Sequence, residues 1–289
     1  MSPSATDSPH AGPADERERV RAPFGRRRAA VLSNHAVGAY RVLRAADGSG
    51  PGPRAGQFYM LAAAAGWGAG ADERPFLGRA FSFMSSTPAA GGDEVELEFL
   101  LEAVGPGTAR LGSLRPGEEL WLTGPLGVGF GVLGDGGAAL LVGGGVGIAP
   151  LAAWQDELRR RGRLAPALLG FRDEEHAAAA GLMKEVRLAT DDGSSGHRGL
   201  VTELLSAALD ADPSLTVYAC GPPPMLEAVR AMCAERSVAA ELALESGMAC
   251  GFGACYGCVV ATRDGYARVC VDGPVMDAAQ LDSALGEDT

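Results

Sequence analysis

The 289-residue sequence lacks a long apolar run, an excess of basic residues and an apolar leader. No apolar stretch approaches the roughly eighteen residues that span a bilayer, so no membrane-spanning helix is expected. The net charge of −11 argues against nucleic acid as the main partner, because phosphate neutralisation needs excess Lys and Arg. Residues 1–30 contain no apolar core, so no secretory signal is expected either.

Cysteine is also scarce, yet four of the six cysteines lie close together near the C-terminus. Their spacing is C-x4-C-x2-C-x11-C, and the plant-type [2Fe–2S] site begins with C-x4-C-x2-C and adds a more distant cysteine. Intervening glycines allow the backbone to curl around such a cluster. The alternatives are a four-cysteine zinc site, which usually has two CxxC pairs, or disulfides. The candidate ligands are Cys250, Cys255, Cys258 and Cys270.

The two remaining cysteines, Cys220 and Cys233, are far from this run in sequence. They fit free thiols in a reducing cytoplasm. With 47% hydrophobic and 21% charged residues, the composition is that of an ordinary soluble globular protein. The chain is long enough for two domains and a small module, and a cytoplasmic location is expected.

Residues 1–27 are expected to form a disordered tail that ends in a solvated arginine cluster, Arg26 to Arg28. Residues 28–135 then show short apolar strands broken by Gly and Pro, which predicts a small antiparallel β-barrel. One short helix is predicted at Thr108–Leu114, with Thr108 as its N-cap. The predicted strands are Ala30–Leu32, Ala39–Leu43, Gln57–Leu61, Ala80–Met84, Val95–Leu101 and Glu119–Thr123.

Residues 136–244 alternate between apolar strands and amphipathic helices, which predicts a doubly wound α/β domain with a parallel sheet. The first strand, Ala138–Val142, is apolar throughout, as expected for a strand buried on both faces. The later elements are strands Ala167–Phe171, Val186–Ala189, Leu215–Ala219 and Ala240–Leu244, with helices Val201–Leu209 and Met225–Ala234. Residues 245–289 form the predicted cluster module.

Three further motifs are candidate ligand sites. The loop Gly143–Gly147 lies between a strand and a helix N-terminus, where free N–H groups favour a phosphate; a glycine turn without ligand is the alternative. Cys220-Gly221 begins a proline-rich turn at the carboxyl edge of the sheet, where a buried packing thiol is the alternative. Arg79 can bind a pyrophosphate, with Thr108 opposite, or form a surface ion pair.

Taken together, these motifs resemble the ferredoxin–NADP reductase superfamily. The run Glu245–Cys258 narrows the resemblance to the electron-transfer (iron–sulfur flavoprotein) subunit of class 1B dihydroorotate dehydrogenase, over about residues 29–280. The superfamily prefers Tyr where this chain has Phe81, so one possible hydrogen bond to the FAD is absent.

The resemblance implies a role for each matching residue. Arg79, Ala80, Phe81 and Ser82 would line FAD, with Arg79 on its pyrophosphate and Ser82 near flavin N5. Leu100, Leu101, Glu102, Gly107 and Thr108 would border the rest of the FAD site. Gly143, Gly144, Gly145, Val146 and Gly147 would receive the NAD pyrophosphate, with Cys220 and Gly221 near the nicotinamide. Ser82 and Cys220 are the candidate catalytic residues, and the four cysteines would ligate a [2Fe–2S] cluster.

The resemblance also implies a reaction and a partner. Dihydroorotate would be oxidised on a separate FMN-containing catalytic subunit, two copies of which would assemble with two of this chain. Electrons would pass singly through the cluster to FAD, and then as a hydride to NAD+. Arg172 favours a 2′-phosphate while Asp173 and Glu174 oppose one, so NAD is preferred on the resemblance. The alternatives are a reductase subunit of hydrogenase, sulfite reductase or oxygenase type, and a zinc-binding nucleotide sensor.

Overall fold

A computed structural model describes residues 19–68, 75–89, 94–131 and 138–285. Most of the predicted tail, residues 1–18, lies outside this range. Within the range, no helix is both long enough and apolar enough to cross a membrane.

The first part of the chain is a closed six-stranded antiparallel barrel, which confirms the predicted barrel. Its strand order around the barrel is β1-β2-β5-β4-β3-β6. All six predicted strands are present, and each is longer than predicted, because the ladder hydrogen bonds continue beyond the alternating apolar segments. The strands are β1 Arg27–Val37, β2 Tyr40–Asp47, β3 Phe58–Ala63, β4 Arg79–Pro88, β5 Val95–Glu102 and β6 Glu119–Leu126.

The second part is a sheet with helices, in the order β10-β9-β8-β7-β11-β12-β15, and only β15 is antiparallel to its neighbour. The strand order reverses beside β7, which has β8 on one side and β11 on the other. Ligands bind at such switch points in open α/β sheets. The strands are β7 Ala139–Gly144, β8 Ala167–Phe171, β9 Val186–Thr190, β10 His197–Arg198, β11 Thr216–Cys220, β12 Ala240–Ala243 and β15 Val275–Asp277.

The helices occupy the predicted places, with a few differences. The barrel helix α1 is Pro106–Gly112, and the sheet carries α2 Ile148–Arg160, α3 Glu174–Ala177, α4 Val201–Ala211 and α5 Pro223–Glu235. Short 3₁₀ turns cover Gly145–Gly147, Ala178–Leu182 and Ala278–Gln280. The sequence pattern does not predict α3, because its four residues are too few to show a helical period.

The C-terminal module is built on a hairpin of β13 Val259–Thr262 and β14 Gly265–Arg268. After this hairpin the chain returns to the large sheet, where β15 pairs with β12. The module is therefore joined to the nucleotide domain through its backbone. These strands were not predicted, because three or four residues give too little alternation.

Candidate functional site

The start of β4 presents an open backbone edge. Residues 79–82 pair only with β3, since pairing with β5 begins at Phe83. Along this edge Ala80 is exposed, while Phe81 and Ser82 are half-buried. A flat aromatic ligand can stack on such a strand and take hydrogen bonds from its free backbone groups. The strand therefore fits the predicted FAD contacts.

The structure brings the two predicted pyrophosphate contacts together. A Cβ built on Gly107 would lie 2.8 Å from the Nε atom of Arg79, so the guanidinium rests against the start of α1. The same guanidinium lies 5.9 Å from the centre of the Trp67 ring. A cation beside free helical N–H groups suits an anionic group.

The predicted N-cap role of Thr108 is wrong. The cap is Gly105, and Pro106 occupies the first helical turn, where its missing N–H costs nothing. The Thr108 hydroxyl instead accepts hydrogen bonds from the N–H groups of Val104 (2.9 Å) and Gly105 (3.1 Å). Thr108 therefore stabilises the turn before α1 through its side chain.

The last three residues of β5 lie in three different environments. Leu100 lines the cavity beside β4, and Leu101 is buried in the core with 1% exposure. Glu102 lines a different cavity, where its carboxylate binds Arg172. Of these three predicted FAD contacts, Leu100 alone places its side chain beside Phe81.

The glycine loop and the Cys220 turn pack directly on each other at the switch point of the sheet. A Cβ on Gly147 would lie 2.6 Å from the carbonyl carbon of Cys220, so any larger residue would push the two loops apart. A Cβ on Gly144 would meet Pro222 and Met225 at 2.9 and 2.8 Å. Gly143 packs against Leu169 and the start of α2 instead of lining a cavity.

A cavity of about 220 Å³ lies where the barrel, the sheet and the C-terminal module meet. It brings the two predicted catalytic residues, Ser82 and Cys220, into one site. Burial, together with the nearby carboxylate of Glu245, raises the pKa of the Cys220 thiol well above its usual range, so the thiol stays neutral. The lining residues include Phe58, Ala80, Phe81, Leu100, Val146, Gly147, Pro150, Glu245, Ser246 and Met248.

Sequence reasoning missed Glu245 as a functional candidate. Its carboxylate lies among protein atoms at the cavity mouth, and this desolvation raises its pKa to about 7. The residue as a whole is exposed, so solvent weakens the effect of this charge on stability. The only signal available in the sequence was its position directly before the cysteine run. An acid that titrates near neutral pH is suited to holding or releasing a proton.

A second cavity, of about 430 Å³, continues from the glycine loop along the carboxyl ends of β7, β8 and β11. Gly144 and Gly145 line it at one end, while Arg172 and Asp191 are its charged residues beyond β8 and β9. A dinucleotide bound with its pyrophosphate at the glycine loop would reach both cavities. The two cavities together fit the predicted NAD site.

The β13–β14 hairpin explains the eleven-residue gap between the last two cysteines. Val259 pairs with Arg268, which places Cys258 and Cys270 side by side at the open end of the hairpin, with their side chains hydrogen-bonded to each other. Both residues are 2% exposed. Cys255, by contrast, is exposed, and Cys250 is half-buried. The last two cysteines of the run are therefore inside the module, and the first two are nearer its surface.

The loop around Cys250 is suited to holding a thiolate. Burial alone would raise the pKa of Cys250, but hydrogen bonds from the N–H groups of Phe252, Cys255 and Ala254 lower it to about 6. Gly251 and Gly253 have φ values of +78° and +86°, which allow the backbone to direct its N–H groups inward.

The environment of Cys270 disfavours a thiolate as long as no cationic group is bound. Burial, the hydrogen bond with Cys258 and repulsion from it raise the pKa of Cys270 to about 12. As their side chains stand, no three His, Cys, Asp or Glu residues in the described ranges converge closely enough to hold a metal ion. A cationic iron–sulfur core would replace the repulsion between these sulfurs with attraction, so the donor set fits such a group chemically.

The cysteine loop is fixed on the barrel. A Cβ on Gly251 would meet Met60 at 2.6 Å and Leu126 at 3.3 Å, so the loop lies directly on β3 and β6. Phe24, from the segment before β1, packs edge-on against Phe252 at 5.1 Å between ring centres. Part of the predicted tail therefore contacts the cysteine loop.

The C-terminal module matches a known family. Residues 245–282 match the model of the iron–sulfur cluster binding domain of dihydroorotate dehydrogenase B. A curated relative from Caldanaerobacter subterraneus subsp. tengcongensis is 36% identical over 261 residues, covering 88% of this chain and 97% of the relative. One from Clostridium perfringens is 35% identical, covering 79% and 87%. Both are named dihydroorotate dehydrogenase B (NAD(+)), electron transfer subunit.

Solved structures share the fold. A chain of NADH-dependent reduced ferredoxin–NADP oxidoreductase superposes with a TM-score of 0.74 at 23% identity, covering 88% of this chain and 90% of that one. The ferredoxin reductase of carbazole 1,9a-dioxygenase gives 0.61 at 26% identity, covering 74% and 66%. The barrel and the nucleotide sheet therefore have the architecture of ferredoxin reductases.

Proposed function

The chain belongs to the family of dihydroorotate dehydrogenase B electron transfer subunits, and on this premise we propose that it delivers electrons from dihydroorotate, oxidised on a partner subunit, to NAD+. One observation carries the proposal. The smaller cavity is lined by β4 of the barrel, by the glycine and Cys220 loops of the sheet, and by residues 245–248 of the cluster module. Groups held by the three parts would therefore meet in one place.

The cofactors follow from the surfaces that meet there. Arg79 and the start of α1 would hold the FAD pyrophosphate, and the open edge at Ala80–Ser82 would hold the flavin ring. The four cysteines would hold a [2Fe–2S] cluster. When bound, the cluster would supply single-electron transfer, and the flavin would combine two electrons with a proton for transfer as a hydride. Met248 lines the cavity two residues before Cys250, and two residues of chain span at most about 7 Å.

The protein's own residues position the substrate and control protons. The glycine loop presents its N–H groups to the NAD pyrophosphate at the start of α2. Cys220, neutral and 4% exposed, would form an uncharged wall beside the nicotinamide and exclude water. Glu245, with a pKa of about 7, would hold a proton at its carboxylate next to Ser82 and Cys220.

The partner we propose is an FMN-containing catalytic subunit, in an assembly of two copies of each chain in the cytoplasm. Electrons need an entry point at the surface, and the cysteine loop offers one. Cys255 is exposed, and Phe252 and Tyr256 beside it are 44% and 65% exposed. Exposed aromatic residues of this kind are typical of protein interfaces.

Two measurements test the proposed function. The purified chain should show the combined absorption of a flavin and a [2Fe–2S] cluster, whereas a zinc module would be colourless. Mixed with an FMN-containing dihydroorotate-oxidising subunit, it should couple dihydroorotate oxidation to NAD+ reduction. A correctly loaded chain that reduces NAD+ only with a hydrogenase or oxygenase partner would refute the proposal.

A further inference from the structure

The rim of the larger cavity carries an ion pair between the two domains. Glu102, at the end of β5 in the barrel, binds the guanidinium of Arg172, which follows β8 in the sheet, at 2.6 Å. The Nε2 atom of His176 lies 3.5 Å from the same carboxylate, and its Nδ1 atom lies 2.6 Å from Asp173. Glu102 therefore binds a cation that would otherwise face the cavity alone.

The other charges of this rim are mostly negative. Asp191 lines the cavity at the end of β9, and the backbone N–H of Asp191 bonds to the carbonyl of Phe171, directly before Arg172. Hydrogen bonds from Ser194 hold the pKa of Asp192 below its usual range, so it is ionised. A further cation is Arg198, which pairs with Thr190 at the end of β9 and whose side chain lies against Gly193.

We propose that Glu102, a barrel residue, makes the nucleotide site selective for NAD(H) over NADP(H) by binding Arg172. This inference rests on the proposed function, in which the larger cavity receives the adenosine half of the dinucleotide. The 2′-phosphate of NADP carries up to about two negative charges and is recognised best by an arginine. To use Arg172 it would have to displace Glu102, and the displaced carboxylate would then face the phosphate.

The ribose of NAD avoids this conflict. Its 2′-hydroxyl is neutral and can donate a hydrogen bond to a carboxylate, so the acidic rim attracts it. The Glu102–Arg172 pair can remain intact while NAD is bound. Selectivity for NAD therefore has two sources. Glu102 keeps the guanidinium of Arg172 from binding a 2′-phosphate, and acidic residues contact the ribose. Because Glu102 lies outside the sheet, a comparison limited to the nucleotide domain would not find it.

The test uses nucleotide fragments without nicotinamide, so its readout is binding and not redox activity. Dissociation constants of ADP-ribose and 2′-phospho-ADP-ribose are measured by calorimetry on the FAD- and cluster-loaded chain. Glu102→Gln removes the charge but keeps the size of the side chain. It should tighten binding of 2′-phospho-ADP-ribose by about tenfold, the value of one freed charge-assisted contact. ADP-ribose should change less than about twofold.

Matched variants separate the ion pair from general charge. Glu175→Gln makes the same charge change at an exposed residue of α3 that is not among the cavity residues, and it should leave the ratio of the two constants within about twofold. Adding Arg172→Gln to Glu102→Gln should abolish the gain, because the phosphate then lacks its cation. Glu102→Ala repeats the experiment if the glutamine variant folds poorly.

The outcomes distinguish this inference from the proposed function. If the wild-type chain binds neither fragment, the assignment of the cavity itself is wrong. If it binds ADP-ribose but Glu102→Gln leaves the ratio unchanged, the role of Glu102 is refuted and the function stands. An equal gain in Glu175→Gln, or a gain that survives loss of Arg172, would also refute it, and the latter would direct attention to Arg198.

Discussion

At the scale of single residues, Glu245 has the most informative environment. It is the first residue of the cysteine-rich module and lies in the cavity with Ser82 and Cys220. Protein atoms around its carboxylate disfavour the charged form and raise its pKa to about 7. A charged Glu245 therefore lowers stability, and a neutral one does not.

The expected consequence is a pH dependence of stability. The folded pKa of about 7 exceeds the ordinary value of 4.5, so the folded state binds more protons between these values. Stability should fall as the pH rises through this window. Glu245→Gln should raise the thermal midpoint at pH 8 by about 2–4 °C, on the order of 1 kcal/mol after allowing for solvent screening. At pH 4.5 the two proteins should melt together, and an equal difference at both pH values would contradict this explanation.

At the scale of elements, strand β1 separates two adjacent arginines that the sequence had grouped as a solvated cluster. Arg27 forms two hydrogen bonds to the fully buried Asp47, at 3.0 and 2.6 Å, and a third to the carbonyl of Gly124 at 2.7 Å. Arg28 points outward to Glu119, and that pair is about half exposed. For Arg27 the expectation of a solvated side chain was wrong, since successive strand residues face opposite sides.

These two ion pairs provide a matched comparison. Asp47→Asn leaves Arg27 charged and buried without its partner, and breaking a buried pair costs about 3–5 kcal/mol. The thermal midpoint should fall by roughly 6 °C or more. Glu119→Gln removes an exposed partner of the neighbouring arginine and should lower the midpoint by less than about 2 °C. Similar losses in both variants would mean that the Arg27 pair contributes no more than a surface contact.

The elements that the sequence predicted well have a strong periodic pattern or a residue with a backbone constraint. The fully apolar run before Gly143 predicted the central strand, and the glycine and proline loops were placed correctly at its edge. The short elements failed, because β13, β14 and β15 have only three or four residues each. Thr108 was misassigned because a threonine can satisfy backbone N–H groups of a helix start from two positions. At the cap it would accept from N–H groups that follow it, whereas from the third helical position it accepts from those of Val104 and Gly105, which precede it.

The site was predictable to the extent that its residues belong to recognisable motifs. Ser82 and Cys220 are 138 positions apart in sequence; their motifs predicted places beside the flavin and the nicotinamide, and in the structure both line one cavity. Glu102 was expected at the FAD site and not beside Arg172, and Glu245 was expected at no site, because acids are usually solvated. Their roles depend on which residue of another domain lies opposite. Long-range contacts of this kind are fixed by domain packing, which local periodicity does not encode.

At the scale of the whole molecule, the C-terminal module connects the other two parts. It contributes β15 to the nucleotide sheet, rests Gly251 on the barrel and supplies Glu245, Ser246 and Met248 to the shared cavity. The cysteine loop thereby reaches from the interior, at Cys258, to the surface at Cys255. This arrangement suits a protein that accepts electrons at its surface and transfers them to a site in its interior.

The surface side of that loop should be where the catalytic partner docks. Tyr256 is 65% exposed and has a φ of +56°. The guanidinium carbon of Arg268 lies 5.5 Å from the centre of its ring, so the ring is on the surface of the cysteine loop. Tyr256→Asp places a charge in the proposed contact and should weaken partner affinity by about tenfold or more, as expected for an interface aromatic. Surface plasmon resonance measures the affinity, and the [2Fe–2S] absorption should be unchanged.

Tyr266→Asp, in β14 and 74% exposed, is the matched control and should have a smaller effect. Unchanged docking in Tyr256→Asp with an intact cluster spectrum would show that the partner binds another face.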